Sequence, residues 1–170
     1  MEETRKLTVE EAHQYFSKTI NGQVWELLQR SDRSQAEDDE MLYAAHACTY
    51  HWKFAGTIVH QQRGEWLISR VHVALGHPEA ARRHAERCFQ LTESHKDLMA
   101  DFDIAYAYEG LARACALSGK NKEAENYYHL AQQAGDSILD AEDRSIFLGD
   151  FQGGDWFGVN FHPAGNQGKQ

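Results

Sequence analysis

Apolar residues recur every three to four positions through most of the chain, which predicts amphipathic helices rather than strands. Thr8 and Glu11 have the spacing of a capping box and open the first helix. The stripe of this helix keeps its phase across Asn21-Gly22, so we predict one continuous helix. Its apolar positions are Val9, Ala12, Phe16, Ile20, Val24, Leu27 and Leu28.

Further caps and breakers divide the rest of the chain into six more helices. Ser34 and Glu37 repeat the capping-box spacing before the second helix, and Pro78 is well placed at the start of the fourth. No window alternates polar and apolar residues over the length of a strand. The predicted fold is therefore all-α, with about seven antiparallel helices. The second, third, fifth and seventh helices are predicted at 34–56, 57–75, 101–119 and 140–151. The fourth begins at residue 78 and the sixth at residue 121.

Two of the predicted helical hairpins follow one pattern. In each, a glycine lies five residues before a small residue, and the next two core positions follow four and seven residues later. Small residues allow two helices to approach closely, and glycine turns the chain between them. One hairpin reads Ile68-Ser69, Gly76, Ala81, Ala85 and Cys88; the other reads Leu111-Ala112, Gly119, Ala124, Tyr128 and Ala131.

This spacing resembles the tetratricopeptide repeat (TPR) over Arg63 to Ala134. The two turn glycines are 43 residues apart, whereas the period of the family is ~34 residues, so the helices are lengthened. The resemblance implies a right-handed superhelical, TPR-like stack of antiparallel hairpins. We assign residues 1–152 to this domain and residues 153–170 to a glycine-rich aromatic tail.

Charge and composition exclude several classes of function. The chain has 17 Lys and Arg against 26 Asp and Glu, a net charge of −9, which disfavours nucleic-acid binding. No stretch approaches the ~20 apolar residues of a membrane span, and the polar N-terminus has no apolar segment typical of a secretory signal. Cys48, Cys88 and Cys115 form no CxxC pair and are predicted to be buried, reduced thiols. We therefore expect a cytoplasmic protein.

The resemblance also implies a concave groove lined by the first helix of each hairpin. Spacings of three and four place two trios of side chains on one face of their helices. Arginines beside a tryptophan suit a carboxylate, so the predicted partner is a protein or peptide that is acidic or offers a C-terminal carboxylate. In the alternative interpretation, the arginines pair with Glu65, Glu109 and acidic neighbours and hold adjacent repeats together. The six groove residues are Arg63, Trp66, Arg70, Tyr106, Glu109 and Arg113.

Metal and catalytic motifs are weak in this sequence. His84 and Cys88 are four residues apart, but Cys88 has a core position and no second ligand pair matches, so neither a metal site nor a cofactor is predicted. GxSxG and a phosphate-binding glycine loop are absent, and Asp101 and Asp103 are interpreted as helix caps. Enzyme activity is therefore not expected.

A different hypothesis starts from His46, Tyr50, His51 and Trp52 on the second helix. This aromatic-rich set is either a packed helix interface or the centre of a small-ligand or metal-binding protein, including an unrecognised enzyme.

The tail carries three aromatic residues, Trp156, Phe157 and Phe161. They are typical of a short recognition segment, which folds back over the last helix or docks in a neighbouring subunit and makes a homo-oligomer. The leading prediction from the sequence is a non-enzymatic, cytoplasmic helical-repeat protein that binds a protein or peptide, without nucleic-acid or membrane binding.

Overall fold

A computed structural model describes residues 6–161 of the chain. These residues form seven α-helices and a short 3-10 helix, Lys96–Leu98, with no strand among them, so the all-α prediction is confirmed. The predicted helix boundaries agree closely with the observed ones. The helices are α1 (Val9–Leu28), α2 (Gln35–Ala55), α3 (Ile58–Ala74), α4 (Pro78–Ser94), α5 (Asp101–Leu117), α6 (Asn121–Asp136) and α7 (Ala141–Gln152).

Both predicted capping boxes are present. The backbone N–H of Thr8 donates to Glu11 Oε2 over 2.8 Å, and the backbone N–H of Glu11 donates to the Thr8 hydroxyl over 3.1 Å. Ser34 and Glu37 form the same reciprocal pair at the start of α2. Each pair satisfies backbone groups that a helix start leaves without partners. α1 continues through Gly22 without a break, as predicted.

The two predicted turn glycines close the hairpins α3–α4 and α5–α6. Gly76 and Gly119 have φ angles of +70° and +69°, a left-handed conformation that other residues rarely adopt. Beyond each glycine, a backbone N–H reaches back into the helix: His77 N donates to His72 O and Lys120 N donates to Cys115 O, both over 2.9 Å. These are the bonds of a Schellman motif, so both helices end in the same way.

Each helix packs against the next one in sequence, and α5 also contacts α3 and α7. The core is accordingly a row of apolar clusters between successive helices. The small residues of the two hairpin patterns lie in this core. Those that are buried include Ala81, Ala85, Cys88, Ala112, Ala124 and Ala131.

The described part of the predicted tail, residues 153–161, packs against its own chain. Trp156, Phe157 and Val159 cover a small apolar cluster between α5 and α6. The Phe161 ring stacks on Tyr128 of α6 with a centroid distance of 3.7 Å. Residues 153–161 thus fold back on their own chain, which is one of the two arrangements predicted for the tail; residues 162–170 lie outside the described residues. Among the described residues, no helix has both the length and the apolar character needed to cross a bilayer.

Candidate functional site

The first, third, fifth and seventh helices line one cleft of about 440 Å³. Its apolar lining consists of Trp25, Trp66, Leu67, Phe102, Tyr106 and Ile146. Its polar lining consists of Asn21, Gln29, Gln62, Arg63, Asp103 and Asp150. A concave surface with aromatic walls and a few convergent polar groups is the usual form of a binding site in a protein.

Aromatic rings connect the walls of the cleft. The Trp66 ring on α3 lies 5.8 Å from the Trp25 ring on α1 and 4.8 Å from the Tyr106 ring on α5, centroid to centroid. These distances are in the range at which aromatic rings attract each other. The centre of the cleft is therefore an aromatic surface shared by three helices.

A bidentate ion pair marks one side of the cleft. Arg63 Nε and Nη2 donate to the two oxygens of Asp103 over 2.8 and 3.0 Å. Asp103 is buried, and its Oδ2 also accepts from the backbone N–H of Ala100 over 3.0 Å. The Arg63 guanidinium lies 4.9 Å from the Phe102 ring centroid and stays exposed. Asp103 therefore caps α5, as predicted, and also orients Arg63.

Three donors converge on the buried carboxylate of Glu109. Trp66 Nε1 donates to Oε2 over 2.9 Å, Arg70 Nη1 donates to Oε1 over 3.2 Å, and Arg113 Nε donates to Oε1. Glu109 and Arg113 are only 0% and 1% exposed. Such charges are stable in the interior because they are paired and hydrogen-bonded.

Arg113 also holds the last turn of α7 and the chain that follows it. Its Nη2 donates to the carbonyls of Asp150 and Gly153 over 2.9 and 2.8 Å, and its Nη1 donates to the carbonyl of Asp155 over 3.1 Å. Its guanidinium lies 4.0 Å from the Trp156 ring centroid. Burial lowers the pKa of Arg113, and the charge of Glu109 opposes that effect. Arg113 is thus a buried anchor between α5 and residues 150–155.

A further bond connects α5 with α7 at the cleft. The Tyr106 hydroxyl donates to Asp150 Oδ2 over 2.6 Å. Burial raises the pKa of this hydroxyl far above its usual value, and the bond to Asp150 raises it further. Tyr106 therefore stays protonated and serves as a donor.

The six predicted groove residues meet along the contact between α3 and α5, but they differ in accessibility. Arg63, Trp66 and Tyr106 line the cleft. Arg70 is partly buried, whereas Glu109 and Arg113 are buried and engaged by other groups. Glu109 and Arg113 therefore cannot contact a partner directly in this conformation. Of the six residues predicted to bind a peptide, only Arg63, Trp66 and Tyr106 lie where a ligand in the cleft would touch them.

Gln62 is a cleft residue that the sequence analysis missed. Its Nε2 donates to Thr92 Oγ1 over 3.0 Å and to the carbonyl of Asp103 over 3.3 Å. That carbonyl can only accept, which sets the orientation of the amide. Gln62 is 1% exposed, and within residues 6–161 its Oε1 has no hydrogen-bond partner. A buried acceptor without a donor is unfavourable, but this oxygen is itself buried, so a ligand in the cleft does not reach it in this conformation.

Other cleft residues that were not predicted there include Trp25, Asp103 and Asp150. Asp103 precedes Tyr106 by three residues on the same helix, so the spacing that selected the groove residues could also have selected Asp103. Asp150 is 44 residues from its partner Tyr106. No local pattern connects two positions that far apart.

The set His46, Tyr50, His51 and Trp52 does not form one cluster. His51 Nδ1 lies 2.8 Å from His13 Nδ1, and its ring lies 6.0 Å from that of Tyr50. Trp52 instead packs on the core between α1, α2 and α3. The ring of His46 neighbours those of two other histidines on α3 and α4. A ligand site built from the whole set is therefore not supported by these positions.

The pair His84 and Cys88 likewise forms no metal site. Cys88 is buried, its sulfur accepts from Gln62 Nε2, and burial raises the pKa of its thiol far above the usual value. A protonated thiol is a poor metal ligand.

A comparison of the sequence with protein-family models found no match, and comparisons with curated proteins and with solved structures found none either.

Proposed function

We propose that this protein is a non-enzymatic, TPR-like interaction module that binds a peptide segment of a partner protein in the cleft. Three observations support a right-handed TPR-like stack: each helix packs on the next one in sequence, two glycine turns have the same geometry, and small residues are buried at repeated spacings. The first helix of each hairpin lines the cleft, as the groove helices of such a stack do. A cytoplasmic location is part of the proposal, because Cys48, Cys88 and Cys115 are free and buried.

The observation that carries the proposal is the aromatic wall of the cleft, where the Trp66 ring lies against the rings of Trp25 and Tyr106. Trp25, Trp66 and Phe102 offer apolar area to a side chain. Only two of the five N–H donors of Arg63 are engaged by Asp103, so another can meet a peptide carbonyl. The proposed ligand is an extended segment with one large apolar side chain.

The charges favour an apolar segment over an acidic one. Arg63 is the one cation among the lining residues, and Asp103 and Asp150 are the two anions. Since Asp103 neutralises Arg63, the cleft has no excess of positive charge. Both carboxylates are hydrogen-bonded, Asp103 to Arg63 and Asp150 to Tyr106. This engagement favours binding without acid–base catalysis.

Selection from a displayed library of random peptides tests the proposal. We expect enriched peptides to share one aromatic or large aliphatic residue and to lose binding to the variant Ile146→Arg. Ile146 lies in the cleft lining and is 54% exposed, so a charged side chain there opposes an apolar ligand without disturbing the core. Calorimetry with one synthetic selected peptide gives the affinity.

Leu139→Arg is the matched control. Leu139 is 90% exposed in the turn before α7, and this variant should bind the peptide like the wild type. Enriched peptides whose binding survives Ile146→Arg would overturn the assignment of the cleft, and so would the absence of any enriched sequence. Enrichment of acidic side chains or of C-terminal carboxylates would contradict the proposal of an apolar ligand and would support the acidic partner predicted from the sequence.

A further inference from the structure

Three histidines from three different helices converge away from the cleft lining. They are His46 on α2, His72 on α3 and His84 on α4, and each offers one ring nitrogen within 4.8 Å of the others. Zinc–nitrogen bonds of ~2.0–2.1 Å place three ligand nitrogens ~3.3 Å apart around one ion. The nitrogens must therefore approach one another by about 1.5 Å at most to bind one ion. Small side-chain rotations are enough for this, and the exposed His46 can make them.

Neighbouring groups orient two of these rings. His84 Nδ1 lies 2.7 Å from Glu65 Oε2, so Nδ1–H donates a hydrogen bond to the carboxylate and Nε2 carries the lone pair. His72 Nδ1 lies 3.2 Å from His77 Nδ1, so Nε2 of His72 is the nitrogen that remains for a ligand. A carboxylate behind a metal-binding imidazole is the usual outer-shell arrangement in metal sites.

The surroundings favour neutral imidazoles, the form that binds metals. Burial lowers the pKa of His72 to about 4 and also lowers the pKa of His46, with a further contribution from His84 in both cases. One cation adjoins the cluster: Arg83 Nη2 is 3.5 Å from His84 Nε2. Arg83 is exposed, so its side chain is free to move away when an ion binds.

We propose that His46, His72 and His84 bind one divalent transition-metal ion of the zinc type, with Glu65 as the outer-shell partner of His84. Imidazole nitrogen is a ligand preferred by zinc and its neighbours in the first transition series, whereas magnesium and calcium prefer oxygen. Three protein ligands leave a fourth position of a tetrahedral ion for water or another ligand. No metal site was predicted from the sequence, since no second ligand pair had a matching spacing along the chain; the three histidines lie on three separate helices. The proposal is independent of peptide binding in the cleft.

Titration of the full chain with zinc tests the site. The protein is produced without a polyhistidine tag, treated with a chelator and titrated with ZnCl₂ by calorimetry. We expect one equivalent to bind. Glu65→Gln should weaken the affinity about tenfold or more, as loss of an outer-shell partner does, and His84→Gln should weaken it further. Arg83→Ala should strengthen it, because a neighbouring positive charge is removed.

A second histidine pair provides the matched control. His13 and His51 also lie in contact, so the double variant His13→Gln/His51→Gln should keep the full affinity. Circular dichroism of every variant verifies that it is folded, and zinc should raise the unfolding temperature of the wild type but not of His46→Gln or His84→Gln. The proposal is overturned if zinc does not bind stoichiometrically, if His84→Gln keeps the wild-type affinity, or if binding disappears in His13→Gln/His51→Gln.

Discussion

At the scale of single residues, two glycines inside helices show opposite consequences of a missing side chain. A Cβ on Gly135 of α6 would lie 2.2 Å from Cε1 of Phe147. Phe147 is buried in the core between α5, α6 and α7, so its ring has little freedom to move. A Cβ on Gly22 of α1 would meet nothing within 4 Å. The contact between α6 and α7 therefore requires glycine at position 135, whereas the packing of α1 does not require it at position 22.

We expect Gly135→Ala to lower the free energy of unfolding by about 1–3 kcal/mol, because the added methyl group overpacks the core. Gly22→Ala is the matched variant and should raise it by up to about 1 kcal/mol, because alanine is the better helix former. Urea unfolding followed by circular dichroism measures both. Equal effects of the two substitutions would show that the approach of Phe147 to α6 is not tight.

At the scale of the elements, the start of α2 depends on one carboxylate. Glu37 accepts from the backbone N–H and the hydroxyl of Ser34 over 2.7 and 2.8 Å, and from Arg30 Nη1 over 2.5 Å. The bond from the Ser34 backbone, followed by that from Arg30, lowers the pKa of Glu37 from 4.5 to about 2. The capping box therefore exists in its charged form at neutral pH.

This shift predicts a dependence of stability on pH. Because the folded state binds the Glu37 proton more weakly than the unfolded state, the stabilisation is present above pH 4.5 and is lost as pH falls towards about 2. We expect the difference in unfolding free energy between wild type and Glu37→Gln to shrink over that range. Urea unfolding at several pH values measures it. Glu26→Gln, at an exposed position of α1, is the control, and an equal dependence in both variants would contradict the prediction.

At the scale of the whole molecule, one buried network joins helices that are distant in sequence. Glu109 connects α3 with α5, and Arg113 connects α5 with the chain after α7. Trp156 covers the Arg113 guanidinium. Residues 153–161 therefore complete the fold of their own chain, and Trp156 and Phe157 contribute to that packing.

Removal of the Arg113 guanidinium should destabilise the whole fold. In Arg113→Met, the carbonyls of Asp150, Gly153 and Asp155 lose their donor and Glu109 loses one of its cations. Breaking a buried pair in this way costs about 3–5 kcal/mol, measurable as a lower urea midpoint.

Arg87→Met is the control for this variant, since Arg87 is exposed on α4, and it should change stability by less than about 0.5 kcal/mol. A similar small effect in Arg113→Met would mean that water replaces the lost donors and that the segment is not held by this side chain.

Local patterns in the sequence were enough to predict the elements. The capping pairs Thr8–Glu11 and Ser34–Glu37, the turn glycines Gly76 and Gly119, and the helical apolar period are all interactions within a few residues. These interactions are the same in any tertiary context, so the helix boundaries and the all-α class could be predicted without the structure.

Partners of charged and polar side chains were decided by the tertiary structure alone. The spacing placed Arg63 and Arg70 on one face of α3 and offered Glu109 as a partner for the arginines, but it did not reveal that Asp103 neutralises Arg63. The grouping of His46 with His72 and His84 also depends on how α2, α3 and α4 pack. Such pairings join residues tens of positions apart, and the positions of the helix axes decide them. The sequence by itself thus determined which helices form and which faces they bury, while only their packing decided which charges meet, where the cleft lies and where three imidazoles converge.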